Sequence, residues 1–440
     1  AAAGLLRTWA SGDCPVPLDL RLDAGALGER LALVPLDRVL VTDETRPAVA
    51  AALRAIGLPH SRPRLVTVSS DPAAWDPPAA GRFDGSDGGL VVFTSGTTGR
   101  SRAVLLTRAN LLACATEVVR AHALEARDRV LSPLPLAHVN APVISLLATV
   151  LSGGDVVLLP RFEPRLFWRV AVTEGATWAN LVPPLLSLLD GRRDAARPTS
   201  LRFLRSASAP LTPALMEAVE GAFGVPVVES YGISEASSQV TANDVPPGPR
   251  RPGWVGTPRG VEVRVVGPEG AALAPDEVGE VVVRGPTVMR GYLGDPEATS
   301  AALRGGWLHT GDLGALSEEG ALRIAGRSKE LINRGGEKIA PRLVEDVLLA
   351  HPAVLDAAVV GVPDPVYGEE IKALVVPAGE RGSVPADVQR YAAAQLAVHA
   401  RPRLWEAVDQ IPRNAAGKVW RAHLWSREQS PPSGHPEPPT

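Results

Sequence analysis

The chain has 440 residues, with 45 Lys and Arg against 48 Asp and Glu and a formal net charge of -3. That length predicts two or three domains, and 45% hydrophobic with 21% charged residues describes a chain that buries a core, not a disordered or fibrous one. The near-neutral balance leaves no electrostatic footprint for DNA, RNA or an anionic membrane surface, so neither a nucleic acid nor a membrane is an expected partner.

Two cysteines, Cys14 and Cys114, supply neither a disulfide framework nor a thiolate zinc site, which suits a reducing, cytoplasmic setting. The opening AAAGLLRTWASGDC has no basic leader and reads as a chain entered partway. Along the chain, 42 glycines and 42 prolines predict frequent turns and short strands. Apolar, β-branched runs at 33–41, 89–94, 103–106, 155–159 and 225–229 read as strands. Helical periodicity at 108–121 and 213–223 falls between them, the signature of a sheet covered by helices. The apolar run 141–151 meets Gly153-Gly154 well short of the ~20 residues that span a bilayer.

From Val261 the texture changes to Val-Arg-Val-Val and Glu-Val-Val-Val-Arg, which reads as a separate β subdomain over about 250–325. A third unit follows Gly326-Arg327, with helices near 341–349 and 386–398, a strand at 357–362 and a basic loop at 412–418. The expected architecture is α/β. It has an N-terminal region 1–327 of helix-covered sheets including the β subdomain, a small mobile α+β domain 328–425, and a disordered tail 426–440 rich in Pro, Ser and Glu.

The segment Phe93-Thr94-Ser95-Gly96-Thr97-Thr98-Gly99-Arg100-Ser101-Arg102 concentrates hydroxyls and glycine amides between two apolar strands. Such a loop wraps N–H and O–H donors around phosphate oxygens, with Arg102 as a cation; read alone, the same segment is also an ordinary Ser/Gly hairpin turn. It is not a Walker loop, because no Gly-Lys-Ser/Thr follows and the continuation is a strand. Only four lysines occur, Lys329, Lys338, Lys372 and Lys418, and Lys418 sits in a loop after Gly417 that allows close approach to a ligand.

Further ordered motifs are Pro133-Leu-Pro-Leu-Ala-His138, Ser206-Ala-Ser-Ala-Pro210, Tyr231-Gly-Ile-Ser-Glu235, Gly306-Trp-Leu-His-Thr-Gly-Asp312, Gly326-Arg-Ser-Lys-Glu-Leu-Ile-Asn-Arg-Gly-Gly-Glu-Lys338 and Pro412-Arg-Asn-Ala-Ala-Gly-Lys418. With the hydroxyl loop they make the chain, from about Cys14 to Arg421, resemble the adenylate-forming superfamily. That superfamily comprises acyl-CoA synthetases, firefly luciferase and peptide-synthetase adenylation domains, which activate carboxylates as acyl-AMP. The texture of 234–243, 251–256, 329–338 and 361–368 is similar to oxalyl-CoA synthetases and 4-coumarate-CoA-ligase-like enzymes.

The resemblance implies ATP-dependent activation of a small carboxylic acid, pyrophosphate release and transfer to coenzyme A, with Mg²⁺ required. It implies that Lys418 bridges the carboxylate and the α-phosphate, that Glu235 binds Mg²⁺, and that Ser234 offers a hydroxyl to phosphate. Asp312 would hold the ribose hydroxyls with Arg327 close by. The nucleotide would lie among Thr94, Ser95, Gly96, Thr97, Thr98, Gly99, Arg102, Ser208, Ala209, Pro210, Tyr231 and Gly232. His138 would face the acid pocket and the pantetheine exit, with Val139, Asn140, Ser230 and Ser237 lining the acid site. Lys329 would be the hinge, and Gly335, Gly336 and Lys338 would meet CoA. Read singly, most of these residues have bland roles: a solvated lysine, a helix-start glutamate, a turn aspartate, a core histidine.

Departures from the pattern narrow the reading. Ser238, Ala137 and Asn140 stand where the oxalate enzymes have His, Phe and His, which removes donors that a small dianion needs. No carboxylate in 136–141 is available to pair an α-ammonium group, and the 13 residues 313–325 between Asp312 and Gly326 leave no room for the insertion of long-chain acyl-AMP ligases. Family members have a further segment ahead of Ala1, which makes the chain either a fragment or a shortened variant. Three alternatives stay open: transfer to an amine or other nitrogen nucleophile, transfer to a carrier-protein phosphopantetheine, and a catalytically silent nucleotide-binding protein.

Overall fold

The computed structural model describes residues 2–19, 21–36, 38–56, 64–68, 89–95, 101–190, 200–379, 382–413, 419, 421 and 424. The hydroxyl-loop residues Gly96, Thr97, Thr98 and Gly99, the side chain of Ser95, Lys418 and the tail 426–440 lie outside them.

A first parallel pair joins β1 (Arg38–Val41) to β2 (Arg64–Thr67). The expected strand at 33–41 is shorter than its apolar run, because a helix spanning Ala24–Ala32 ends at Leu33 and pairing begins only at Arg38. Next comes the hairpin of β3 (Leu90–Ser95) and β4 (Ser101–Leu106), in which Thr94 lies directly opposite Arg102.

The central sheet begins with β5 (Arg129–Ser132), β6 (Asp155–Leu158), β7 (Trp178–Leu181), β8 (Phe203–Ser206) and β9 (Val227–Tyr231), all parallel. The short antiparallel strands β10 (Thr241–Ala242) and β11 (Thr257–Pro258) extend its edge, giving the order β11-β10-β9-β8-β7-β5-β6. Both faces are covered, so the parallel strands are buried and mainly apolar, with polar residues such as Asn180, Arg205 and Glu229 set toward their carboxyl ends. Val130, Trp178, Phe203 and Val228 pack into one core, while Leu131, Ala179, Leu204 and Val227 pack into the other.

The covering helices have clear end signals. Arg108–Ala121 starts at a capping box in which Thr107 and Asn110 satisfy each other's backbone N–H. Pro213–Phe223 has Thr212 as N-cap, Pro213 in the first turn and Gly224 at φ +65° closing it. Between β5 and β6 the run Ala141–Leu147 is π-helical, with the Ala148 N–H bonded five residues back to Val143, before one α turn at Ala148–Leu151. Such widened turns recur where helices border functional sites.

The β subdomain is built from β12 (Glu262–Val266), β13 (Gly279–Arg284), β15 (Leu303–Arg304), β16 (Trp307–Leu316) and β17 (Leu322–Arg327), whereas β14 (Gly291–Tyr292) leaves it to pair with β4. In the last unit β18 (Ile332–Arg334) and β19 (Glu337–Ile339) form a hairpin beside β20 (Val354–Asp364) and β21 (Gly368–Pro377), with β22 (Leu404–Ala407) parallel to β21. Helices Pro341–Leu349 and Ala386–Gln395 cover that sheet over its own core of Val344, Leu348, Val359, Ile371 and Val388. Among the described residues no helix is long and apolar enough to cross a membrane.

Candidate active site

Parallel strands with helical crossovers gather loops at their carboxyl ends, which is where open α/β sheets bind ligands. Here β8 runs into Ser208 and β9 ends at Tyr231. Gly232 follows because a Cβ there would fall 1.3 Å from the Ser238 carbonyl oxygen, so only glycine lets the two backbone segments pass.

Three polar clusters meet these loops. In the first, Tyr231 donates its hydroxyl to Asp312 Oδ2 at 2.6 Å, and Arg327 Nε lies 2.8 Å from Oδ1. Register makes this possible, since Asp312 of β16 and Arg327 of β17 are Cα partners across their hairpin. Asp312 is buried, its backbone N–H is held by Thr310 Oγ1 at 3.0 Å, and its charge keeps the Arg327 guanidinium above the usual range. Burial first and then Asp312 push the Tyr231 phenol up, so the ring stays a neutral donor.

The second cluster surrounds Glu235. Tyr292 donates to Glu235 Oε1 at 3.0 Å, and Arg102 lies 5.2 Å from the Tyr292 ring centroid and 3.8 Å from Asp295. The pairing of β14 with β4 brings Tyr292 there, and the register of β3 with β4 puts Thr94 on the same face as Arg102. Cation, hydroxyls and carboxylate thus gather at the Thr94–Arg102 end of the β3–β4 hairpin. The carboxylate and its hydroxyl neighbours are the hard oxygen set that Mg²⁺ takes, since that ion binds one or two carboxylates together with phosphates and water. Glu235 therefore fits the expected metal role, with no group of three or more His, Cys, Asp or Glu close enough for a protein-only metal cage among the described residues.

The third cluster lies beneath the predicted acid pocket. Asn140 Nδ2 donates to Ser208 Oγ at 3.1 Å, and Asn180 Nδ2 donates to Asn140 Oδ1 at 2.8 Å. Arg205, 1% exposed, donates to Asn180 Oδ1 at 3.0 Å, to Asn140 Oδ1 at 3.4 Å and to Gln239 Oε1 at 3.2 Å. Ser208 is held at φ +72°, an uncommon conformation for a residue with a side chain.

The remaining predicted residues divide by depth. His138, Ser234 and Ala209 are partly buried, and Pro210 is exposed. Val139 packs in the hydrophobic core, and Ser237, fully buried, donates to the Thr287 carbonyl at 2.7 Å. Ser230 is 3% exposed, and its hydroxyl has no partner among the described residues. Lys329 sits in a single helical turn, Ser328–Glu330, directly after β17. Gly335 and Gly336, at φ +59° and +93°, form the two-residue turn between β18 and β19, with Lys338 exposed beside them.

Sequence reasoning missed Arg205, Asn180, Gln239 and Tyr292. The available signal was Arg205 itself, a charged residue directly after the apolar pair Phe203-Leu204 in a segment that reads as a buried strand.

A family model described as AMP-binding enzyme matches residues 2–293, and one described as AMP-binding enzyme C-terminal domain matches residues 343–418. The chain is 39% identical over 431 residues to a sulfoacetate–CoA ligase from Cupriavidus necator, an alignment covering 96% of this chain and 84% of that protein. It is 40% identical over 342 residues to an oxalate–CoA ligase from Arabidopsis thaliana, covering 76% and 66%. Among solved structures, ATP-bound MatB from Rhodopseudomonas palustris matches with a TM-score of 0.88 at 29% identity, covering 96% of this chain and 85% of that one. The amide bond synthetase McbA from Marinactinospora thermotolerans matches with a TM-score of 0.86 at 29% identity, covering 96% and 86%.

Proposed function

The chain belongs to the AMP-binding enzyme family, and from that premise we propose how its own residues carry out ATP-dependent acyl-CoA formation through an acyl-AMP. The observation that carries the reading is a Tyr231–Asp312–Arg327 cluster at one end of the short Tyr231–Glu235 segment and a Glu235–Tyr292–Arg102 cluster at its other end, near enough that the Glu235 charge acts on Arg327. One provides a fixed bidentate acceptor, as vicinal ribose hydroxyls require, and the other sets a cation and a carboxylate at the Thr94–Arg102 end of the β3–β4 hairpin.

Attack of a carboxylate on the α-phosphate brings two anions together, so the site must present donors to the developing charge. We assign that work to Arg102 and the loop Thr94–Gly99, with Lys418 bridging the two anions. Glu235 would hold Mg²⁺, which when bound would neutralise charge on the phosphates. The backbone edge of Ser208, Ala209 and Pro210 and the Tyr231 ring flank the base, while the Ser208 side chain turns to Asn140.

Thioester formation needs a different set of groups. We place the boundary of the mobile unit at 328, with Lys329 as hinge, and we assign the Gly335-Gly336 turn and Lys338 to the pantetheine arm and CoA phosphates. His138 stands at the acid-pocket end of that route. The same thiol arm on a carrier protein is the alternative acceptor, and the likeness to an amide bond synthetase makes an amine the second alternative. We place the protein in the cytoplasm, in keeping with two unpaired cysteines.

The test is product analysis after incubation with ATP, Mg²⁺, a panel of short acids and CoA. AMP and acyl-CoA forming in equal amounts supports the assignment. An acyl-AMP that forms but is discharged only by an amine would replace CoA as the acceptor.

A further inference from the structure

Sheet register places Asn180 of β7, Arg205 of β8 and Val228 of β9 in one row on the same face. Ser132 of β5 joins that row through Ser145, whose hydroxyl donates to Ser132 Oγ at 2.9 Å and accepts from Asn180 Nδ2 at 2.8 Å. The row below is wholly apolar, with Val130, Trp178 and Phe203. A polar layer centred on a buried guanidinium therefore caps the core just under the carboxyl ends of the strands.

A buried charge is costly unless it is compensated, and ordinarily a carboxylate does this. Among the described residues Arg205 makes no ion pair, and its contacts are three amide oxygens, with Nε left without a partner. Burial lowers its pKa only to about 10, so the charge is present at neutral pH.

The guanidinium has donors only, and this fixes the polarity of everything in line with it. Asn140 must turn Oδ1 inward to accept from Arg205 and Asn180, so its Nδ2 points outward and donates to Ser208 Oγ. The Ser208 hydroxyl, already an acceptor, has its hydrogen to offer onward. Two residues along β9 from Val228, on the same face, Ser230 adds a buried hydroxyl with no partner among the described residues.

We propose that Arg205 is a specificity-determining positioning residue. Acting through Asn140 and Ser208, it makes the far end of the acid pocket a donor surface backed by fixed positive charge, and so selects acids that carry a second anionic group. The inference rests on the ligase reading above, in which the reacting carboxylate is held at the phosphate end by Lys418. The far end of the acid is then the part that meets Asn140.

The experiment compares pyrophosphate release with malonate, succinate and sulfoacetate against propionate, butyrate and acetate, for the parent protein and for Arg205→Met, Arg205→Lys and Asn140→Asp. The parent should prefer the doubly anionic acid of each pair by about tenfold or more in kcat/KM, since a site built for a polar group rejects the analogue lacking it. Arg205→Met should bring that ratio near unity through KM for the doubly anionic acid, leaving KM for ATP within about threefold, while Arg205→Lys restores part of the preference. Asn140→Asp keeps the arginine but neutralises it with a neighbouring carboxylate, so it should lose the preference even if Arg205→Met does not fold.

A parent that uses both acids of each pair equally overturns the inference and leaves the ligase intact. So does an Arg205→Met or Asn140→Asp protein with a parent-like thermal transition that keeps the parent ratio, or that loses all acids alike. Absence of pyrophosphate with every acid counts instead against the ligase reading on which the inference stands.

Discussion

Glu229→Gln should stabilise the protein, and only at neutral to alkaline pH. Glu229 lies on β9 on the face away from Arg205, paired in register with Ser206, and is 4% exposed. Its Oε1 accepts the Leu211 N–H at 3.3 Å, fixing the end of the Ser208–Pro210 segment, and Oε2 has no partner among the described residues. Burial pushes this carboxyl up to about 8, against the opposing pull of the Leu211 N–H and of Arg342, while Asp346 adds to the rise. In the window between its ordinary 4.5 and about 8 the folded chain holds a proton that the unfolded chain has released, so stability falls as pH rises through it. At 1.36 kcal/mol per pKa unit the full effect is on the order of 5 kcal/mol, reached above the folded value.

Glutamine keeps the acceptor and cannot ionise. Thermal unfolding of both proteins at pH 5, 7 and 9 should give similar midpoints at pH 5. By pH 9 the variant should lead by on the order of 10 °C, at a few degrees per kcal/mol for a domain of this size. Midpoints that stay parallel across the range would refute the argument that an unpaired, buried carboxyl limits stability here.

Asp312→Ala removes the acceptor shared by Tyr231 and Arg327 and should raise KM for ATP by about tenfold or more, the loss of charge-assisted hydrogen bonds, without altering the Mg²⁺ dependence. Glu235→Gln should do the reverse, shifting the Mg²⁺ titration to higher concentration, and identical Mg²⁺ titrations for the two variants would undo both assignments. Lys418→Ala should slow acyl-AMP formation by about a hundredfold or more while sparing thioester formation from supplied acyl-AMP, because a lost donor to developing charge costs ~3 kcal/mol. Equal losses in the two half-reactions, measured separately, would show that the lysine has no step-specific role.

How far the sequence could be read depended on whether the signal was local. Arg108–Ala121, Pro213–Phe223 and Pro341–Leu349 have the expected bounds because Thr107, Thr212, Pro213, Gly224 and Pro341 mark their ends chemically. The run 33–41 has no such marker, so a helix end and a four-residue strand look like one apolar stretch. Widening of the helix at Ala141–Leu147 leaves no pattern in an apolar run. In the site, the motifs named Asp312, Arg327, Tyr231 and Glu235, but their contacts come from strand register between β16 and β17 and from β14 joining β4. Arg205 escaped because its partners Asn140, Asn180 and Gln239 come from three separate segments, so only tertiary structure shows that this arginine is buried without a carboxylate.

Acid-dependent exchange of labelled pyrophosphate into ATP in the absence of CoA tests the central claim most directly, because it reports reversible acyl-AMP formation before any thiol is present. The account predicts exchange that requires both Mg²⁺ and a carboxylic acid and that stops in Lys418→Ala. It also predicts that adding CoA to the same mixture diverts the acid into a thioester. Pyrophosphate exchange that needs no acid, or that appears only after CoA is added, would contradict it.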